Sequence, residues 1–240
     1  MKIPILKEYG AWAVFIFSCA AGIITGLLTK PWHDGRDVSV AILLTVLGLV
    51  LLINTKNPFL SLIRTKGQTR EHLLWFMFFC IGGFSLLIPF LAGGIKTFLL
   101  FTPLILGYAI LLSSGREHLF LAELSGFGLL ALSAPIIYFV ITGEMSFRLY
   151  LAVLIFFAAG VFKVRALIKK TFLYRCLMVF YCAAALVFFF YINVSAVMLL
   201  PFIENIVSVL RMKEERLRTT GNKELIKGFI FTVLLGFFWH

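Results

Sequence analysis

Residues Gly115–Pro135 read GREHLFLAELSGFGLLALSAP, and this stretch decides the fold. A charged cluster, Arg116, Glu117 and His118, runs straight into a long apolar segment that carries one carboxylate, Glu123. Glu123 falls about five residues past the cluster, which at ~1.5 Å rise per residue in a helix is roughly 7 Å below the boundary. An ionisable group at mid-bilayer costs about 2.5–3.5 kcal/mol on insertion scales, so such groups face a partner or a cavity. The segment is expected to be a membrane helix with its polar point turned inwards. The rest of the chain is expected to pack around that point.

Composition supports this reading. Hydrophobic residues make up 61% of the 240 and charged residues only 14%, against about 25% charged in an ordinary soluble domain. With a mean hydropathy of +1.03, a soluble globule is excluded. A chain of this length holds eight or nine membrane helices with short connections, so residues 1–240 are read as a single integral membrane domain. The opening MKIPILKEYGAW lacks a small-residue cleavage site and is expected to be retained. Cys19, Cys80, Cys176 and Cys182 all fall in apolar runs without CxxC or Cys/His spacing, which predicts buried thiols rather than a disulfide or a metal site. A net charge of +11 would suggest nucleic acid in a soluble protein. In a membrane chain its distribution matters more, and no nucleic-acid partner is expected.

Apolar runs near 20 residues predict an all-α polytopic bundle of about nine transmembrane helices, at 10–28, 38–53, 73–91, 97–112, 119–141, 145–162, 172–191, 194–210 and 228–239. Two, 38–53 and 97–112, are only 16 residues long and borrow length from flanking snorkelling residues. Lys30, Arg36, Lys96 and Arg148 fall in connections on one side, and the other 18 of the 22 Lys and Arg fall on the opposite side. The positive-inside rule then puts the N-terminus in the cytoplasm and the protein in the cell membrane. A helix missed or invented before the eighth would scramble this alternation.

Packing signals follow from small residues and prolines. Ser18, Gly22 and Gly26 recur every four residues, a seam where another helix backbone can approach closely. Pro103, Pro135 and Pro201 predict kinks, because each removes a helical hydrogen bond. The connection Asn54–His72 carries apolar residues among basic ones and could lie flat as a short interfacial helix. Residues 211–227 read as a charged extension of the eighth helix, ending near Gly221 before a fresh start. No duplicated half stands out, so an inverted-repeat transporter gains no support.

Two carboxylates lie within predicted spans near the cytoplasmic side, Glu123 and Glu204. A cytoplasm-facing cavity shaped by Glu123, Glu204, Asn205, Asn54 and Asn57 is expected, with Arg116, Arg165, Arg211 and Lys163 as contacts for an anionic group. The alternatives are that the carboxylates act as interhelical glue, or as a proton relay. His33, His72, His118 and His240 fall at predicted membrane boundaries or at an end, and nothing places two of them for haem. There is no GxSxG, P-loop, HExxH or Asp-rich motif, and aspartate occurs only as Asp34 and Asp37. No metal and no cofactor are predicted.

Four motifs carry a likeness to a known family: Lys7-Glu8-Tyr9-Gly10-Ala11-Trp12, Asn57-Pro58, Gly115-Arg116-Glu117 with Ala122-Glu123-Leu124, and Lys163-Val164-Arg165. On these the chain resembles the YwiC-like family of bacterial multi-pass membrane proteins, over nearly its whole length. The family's opening motif more often reads KEHGAW or KQHGAW. Tyr9 stands here in place of the histidine, so no imidazole role transfers to that position. The likeness brings no activity with it, and Lys7, Glu8, Gly10 and Trp12 enter only as motif residues. A weaker, architectural likeness points to UbiA-type intramembrane prenyltransferases, which have nine helices, an inside N-terminus and cytoplasmic loops after the second and sixth helices. That superfamily holds Mg²⁺-diphosphate on paired aspartates such as NDxxD. The corresponding stretch here is Asn54-Thr55-Lys56-Asn57-Pro58, which lacks hard ligands, and fold analogy alone does not carry function.

The leading expectation is a non-enzymatic one: binding or movement of a membrane lipid or small amphiphile, such as a polyprenyl or quinone-like species, in the intramembrane cavity. The runner-up is a degenerate prenyl or lipid transferase, and a third reading is an accessory subunit of a membrane complex.

Overall fold

A computed structural model describes residue 4 and residues 8–29, 38–64, 69–117, 119–169, 171–211 and 217–239, without the side chains of Thr69, Val209, Arg211, Leu217 and Arg218. Lys7, His33, His118 and His240 lie outside the described residues. The described residues form helices and no strand. In chain order these are α1 (Tyr9–Thr29), α2 (Val38–Asn54), α3 (Lys56–Arg64), α4 (Thr69–Leu91), α5 (Ile95–Phe98), α6 (Thr102–Ser113), α7 (Phe120–Ala131), α8 (Ser133–Thr142), α9 (Phe147–Lys169), α10 (Phe172–Tyr191), α11 (Phe202–Arg211) and α12 (Leu217–Phe238). Apolar sequence takes this form because backbone groups in lipid have no partners except one another.

Among the described residues, six helical runs are long and apolar enough to cross a membrane: Tyr9–Thr29, Val38–Arg64, Arg70–Ser113, Phe120–Thr142, Phe147–Lys169 and Phe172–Tyr191. The expected third and fourth helices fall together in the 44-residue run Arg70–Ser113. Arg64, just before that run, pairs with Glu117, just after it, at 2.8 Å. Both ends of the run therefore lie at one end of the bundle, and the chain turns back through Ala92–Phe101. Where an eighth span is expected there is only the shorter apolar stretch Ala196–Ser208. The ninth lies in the second half of α12.

The centre of the bundle is α1, which packs on α8 and α12. Its small-residue seam is where α8 comes close: a Cβ on Gly22 would stand 2.4 Å from the Ala134 carbonyl oxygen, and one on Gly26 would stand 2.8 Å from Ile141. Ser18, one turn earlier, is fully buried. A second close approach joins α2 to α4, where Gly48 and Gly83 face each other's carbonyls. On the far side of α1, α9 packs against α7 and α10, and its Phe156 stacks on Phe231 of α12 with centroids 4.0 Å apart.

Pro103 is the second residue of α6 and Pro201 directly precedes α11, where a missing N–H costs nothing. Pro135 follows the break at Leu132 that divides the run Phe120–Thr142 into α7 and α8, and Pro89 lies inside α4. Two expected boundaries move. α9 continues to Lys169 instead of ending at 162, which places Lys163 and Arg165 inside the helix and not in a connection. α12 begins at Leu217 and passes through Gly221 without a break; a Cβ there would meet nothing within 4 Å, so no packing contact interrupts the helix. The short helix expected after Asn54 is α3.

Candidate functional site

Lys163 and Arg165 stand two residues apart on α9, about 200° around the helix, so they point to opposite faces. Each meets a carboxylate from another helix.

On one face lies an ionic network. Lys163 has no exposed surface; its Nζ is 2.5 Å from Glu204 Oε2 of α11 and 3.1 Å from Glu224 Oε1 of α12. Lys227 of α12 is 5% exposed. It donates to Glu224 and to Asn205 Oδ1, and stands 3.3 Å from Glu204 Oε2. Asn205 is buried. Lys223 approaches Glu204 Oε1 at 3.5 Å, and the Ser208 hydroxyl donates to the same oxygen at 2.5 Å. Three ammonium groups thus surround two carboxylates.

The network is set back along the bundle from the start of α1. Gly228, next to Lys227, packs on Phe17 of α1, and Gly236 packs on Ile24, so α12 and α1 run in the same direction. Phe17 is eight residues past Tyr9, which puts Lys227 about 12 Å inside the start of α1.

On the opposite face of α9, Arg165 Nε donates to Glu123 Oε2 at 2.9 Å, and its guanidinium lies 5.3 Å from the Phe120 ring centroid. Glu123 keeps 38% of its side chain exposed. This is a rim pair, not a second buried network.

The expected cavity residues are therefore divided. Glu204, Asn205 and Lys163 come together, and Glu123 and Arg165 pair on the other side of α9. Asn54 ends α2, where its amide donates to Val50 O at 2.8 Å, and Asn57 opens α3. The packing of those two helices is with α4, α6 and α8, away from the network. Arg116 is exposed in the turn after α6. Arg211 closes α11, and its side chain lies outside the described residues. The partners that sequence reasoning missed are Lys223, Glu224 and Lys227. The signal was the spacing in Lys223-Glu224-Leu225-Ile226-Lys227, which sets both lysines and the glutamate on one helical face. The stretch reads as solvated because its charges are dense.

A third grouping gathers the motif stretches at the same end of the bundle. Glu8 pairs with Lys56 at 2.5 Å, Lys56 also reaches the Tyr108 hydroxyl, and Arg64 pairs with Glu117. Trp12 packs edge-on against Phe15. A Cβ on Gly10 would meet nothing within 4 Å. At the opposite end, the Arg148 guanidinium lies 5.2 Å from the Trp239 ring centroid. There too is a cleft of about 410 Å³ lined by Phe190 and residues 193–197. Asn193 has φ +54° because it caps α10: its N–H bonds Phe190 O and that of Val194 bonds Phe189 O, the hydrogen-bond pattern of a Schellman helix end.

Among the described residues these features define the class: an all-helical membrane protein with its cross-helix ion pairs at one end. The family model described as YwiC-like protein matches residues 5–138, more than half of the sequence, and the chain belongs to the YwiC-like family. No curated protein and no solved structure matches it. The matched stretch covers α1 to most of α8. It is shorter than the expected near-full length and leaves out Lys163-Val164-Arg165 and the helices that build the network.

Proposed function

We propose that the protein binds or moves a lipid or small amphiphile within the membrane, with the polar end of that molecule at the Lys163 network. The supporting observation is a lysine without exposed surface, held between carboxylates of two other helices. Each buried ion carries an effective penalty of several kcal/mol, and apolar side chains would dock α11 and α12 on α9 without it. Glu204 and Glu224 keep 32% and 30% of their side chains exposed, which gives the network an open edge. A polyprenyl or quinone-like species is the first class to look for.

The same reading gives nine crossings of the cell membrane with a cytoplasmic N-terminus. It counts Arg70–Ser113 as two crossings, and Ala196–Arg211 and α12 as one each. Two observations support it: the cross-helix ion pairs share one end of the bundle, and Arg148 meets Trp239 at the other.

Mass spectrometry of lipids co-purifying in mild detergent tests the proposal, with an unrelated membrane protein from the same cells as control. One amphiphile class should be enriched with the protein and reduced in Lys163→Met. A lipid profile matching the control overturns the proposal.

A further inference from the structure

We infer that Lys163, Lys223, Lys227 and Ser208 form an oxyanion cradle in which the chain's own Glu204 carboxylate sits, and that the carboxylate or phosphate of an anionic amphiphile takes its place when the site is loaded. This rests on the function proposed above and narrows its ligand to anionic headgroups.

The geometry around Glu204 carries the inference. Its Oε2 faces Lys163 at 2.5 Å and Lys227 at 3.3 Å, and its Oε1 faces Ser208 at 2.5 Å and Lys223 at 3.5 Å. A carboxylate offers about four lone-pair positions. Two accept hydrogen bonds, from Lys163 and Ser208. Two further ammonium groups stand within ion-pair distance, so the surrounding groups come from three helices. Pinning α11 to α9 would need one such contact.

Two of the cradle's lysines do not depend on Glu204 for their position. Lys163 also touches Glu224, and Lys227 is held by both Glu224 and Asn205. Their helices are fixed by the Phe156–Phe231 stack and by the packing of α12 on α1. Glu204 differs from these residues. It belongs to the first turn of the ten-residue α11, just after Pro201, and is a third exposed. Replacing its charge by that of a carboxylate leaves the net charge of the network unchanged, and a phosphate of about −1.5 to −2 offsets the network's excess positive charge. One turn before Glu224 on the same face of α12, the Thr220 hydroxyl is 2% exposed and has no hydrogen-bond partner. It is an unused polar group between the network and the bundle end.

The test measures binding to the purified protein in detergent, using a fluorescent fatty acid, the matching fatty alcohol, detergent-dispersed phosphatidic acid, and inorganic phosphate. Glu204→Gln should strengthen binding of the anionic probes about tenfold, the scale of one charge-assisted contact. It should leave the alcohol unchanged, and adding Lys163→Met should remove the gain. A gain with phosphate alone supports the cradle and identifies a free anion as its ligand. Should Glu204→Gln fail to fold, Glu204→Asp draws the carboxylate back by one methylene and should give a smaller gain of the same selectivity. No gain in either folded variant, or an equal gain for acid and alcohol, overturns the cradle. The lipid co-purification result stands independently: enrichment without a Glu204 effect sinks only the cradle, and a cradle without enrichment sinks only the amphiphile reading.

Discussion

At the scale of single residues, the fate of a buried charge depends on how many partners remain when one is removed. Three ammonium groups and two carboxylates make the Lys163 network positive by one charge. Lys163→Met leaves two of each and replaces the lysine with a side chain of similar length, so its cost should stay within about 2 kcal/mol. Glu224→Met leaves three ammonium groups around one carboxylate and should cost about 3–5 kcal/mol, the range for breaking a buried pair. Thermal unfolding of both variants in the same detergent checks the order. If Lys163→Met is the more damaging, excess positive charge is not what the network balances.

At the scale of helices, two contacts can be separated by their burial. The α1–α8 contact is steric: a Cβ on Gly22 would collide with the Ala134 backbone, and a carbonyl oxygen cannot turn aside. Gly22→Val should destabilise by about 1–3 kcal/mol, the range for overpacking. Gly10→Ala, on the same helix but in open space, should stay within about 0.5 kcal/mol. The α7–α9 contact at Arg165–Glu123 is electrostatic and partly exposed, so solvent screening holds it to about 1 kcal/mol. Arg165→Glu should weaken the fold, and Arg165→Glu with Glu123→Arg should recover most of the loss. A double variant no better than the single would show that Arg165 acts through its packing on Phe120. Of these contacts the seam was legible, because small residues every four positions have few other uses in a membrane helix. The Glu204–Lys163 partnership was legible only as a need for some cation. Which cation met it depended on the rotation of α9 and the true start of α12.

At the scale of the whole molecule, the testable property is which end of the bundle faces which side. With Cys19, Cys80, Cys176 and Cys182 replaced by serine, Glu144→Cys should react with a membrane-impermeant maleimide on intact cells. Ser114→Cys should react only after permeabilisation. Both residues are exposed and they flank the run Phe120–Thr142. Labelling of both from the same side would exclude that run as a crossing, and the reverse pattern would invert the orientation.

The amino-acid sequence by itself determined the class of object, because 61% hydrophobic composition and runs of membrane length leave lipid as the only solvent that suits such a chain. It also determined the α1 seam, since this rests on local sterics. Only the tertiary structure decided that α9 continues through Lys163 and Arg165. Charges end a membrane helix in a sequence reading, but do not end it when neighbouring helices neutralise them. It likewise decided that Lys227 is buried and that Lys223 and Glu224 stand at the part-exposed edge of the same network. Burial of a charge depends on partners 20 to 60 residues away along the chain, and local pattern carries no record of them.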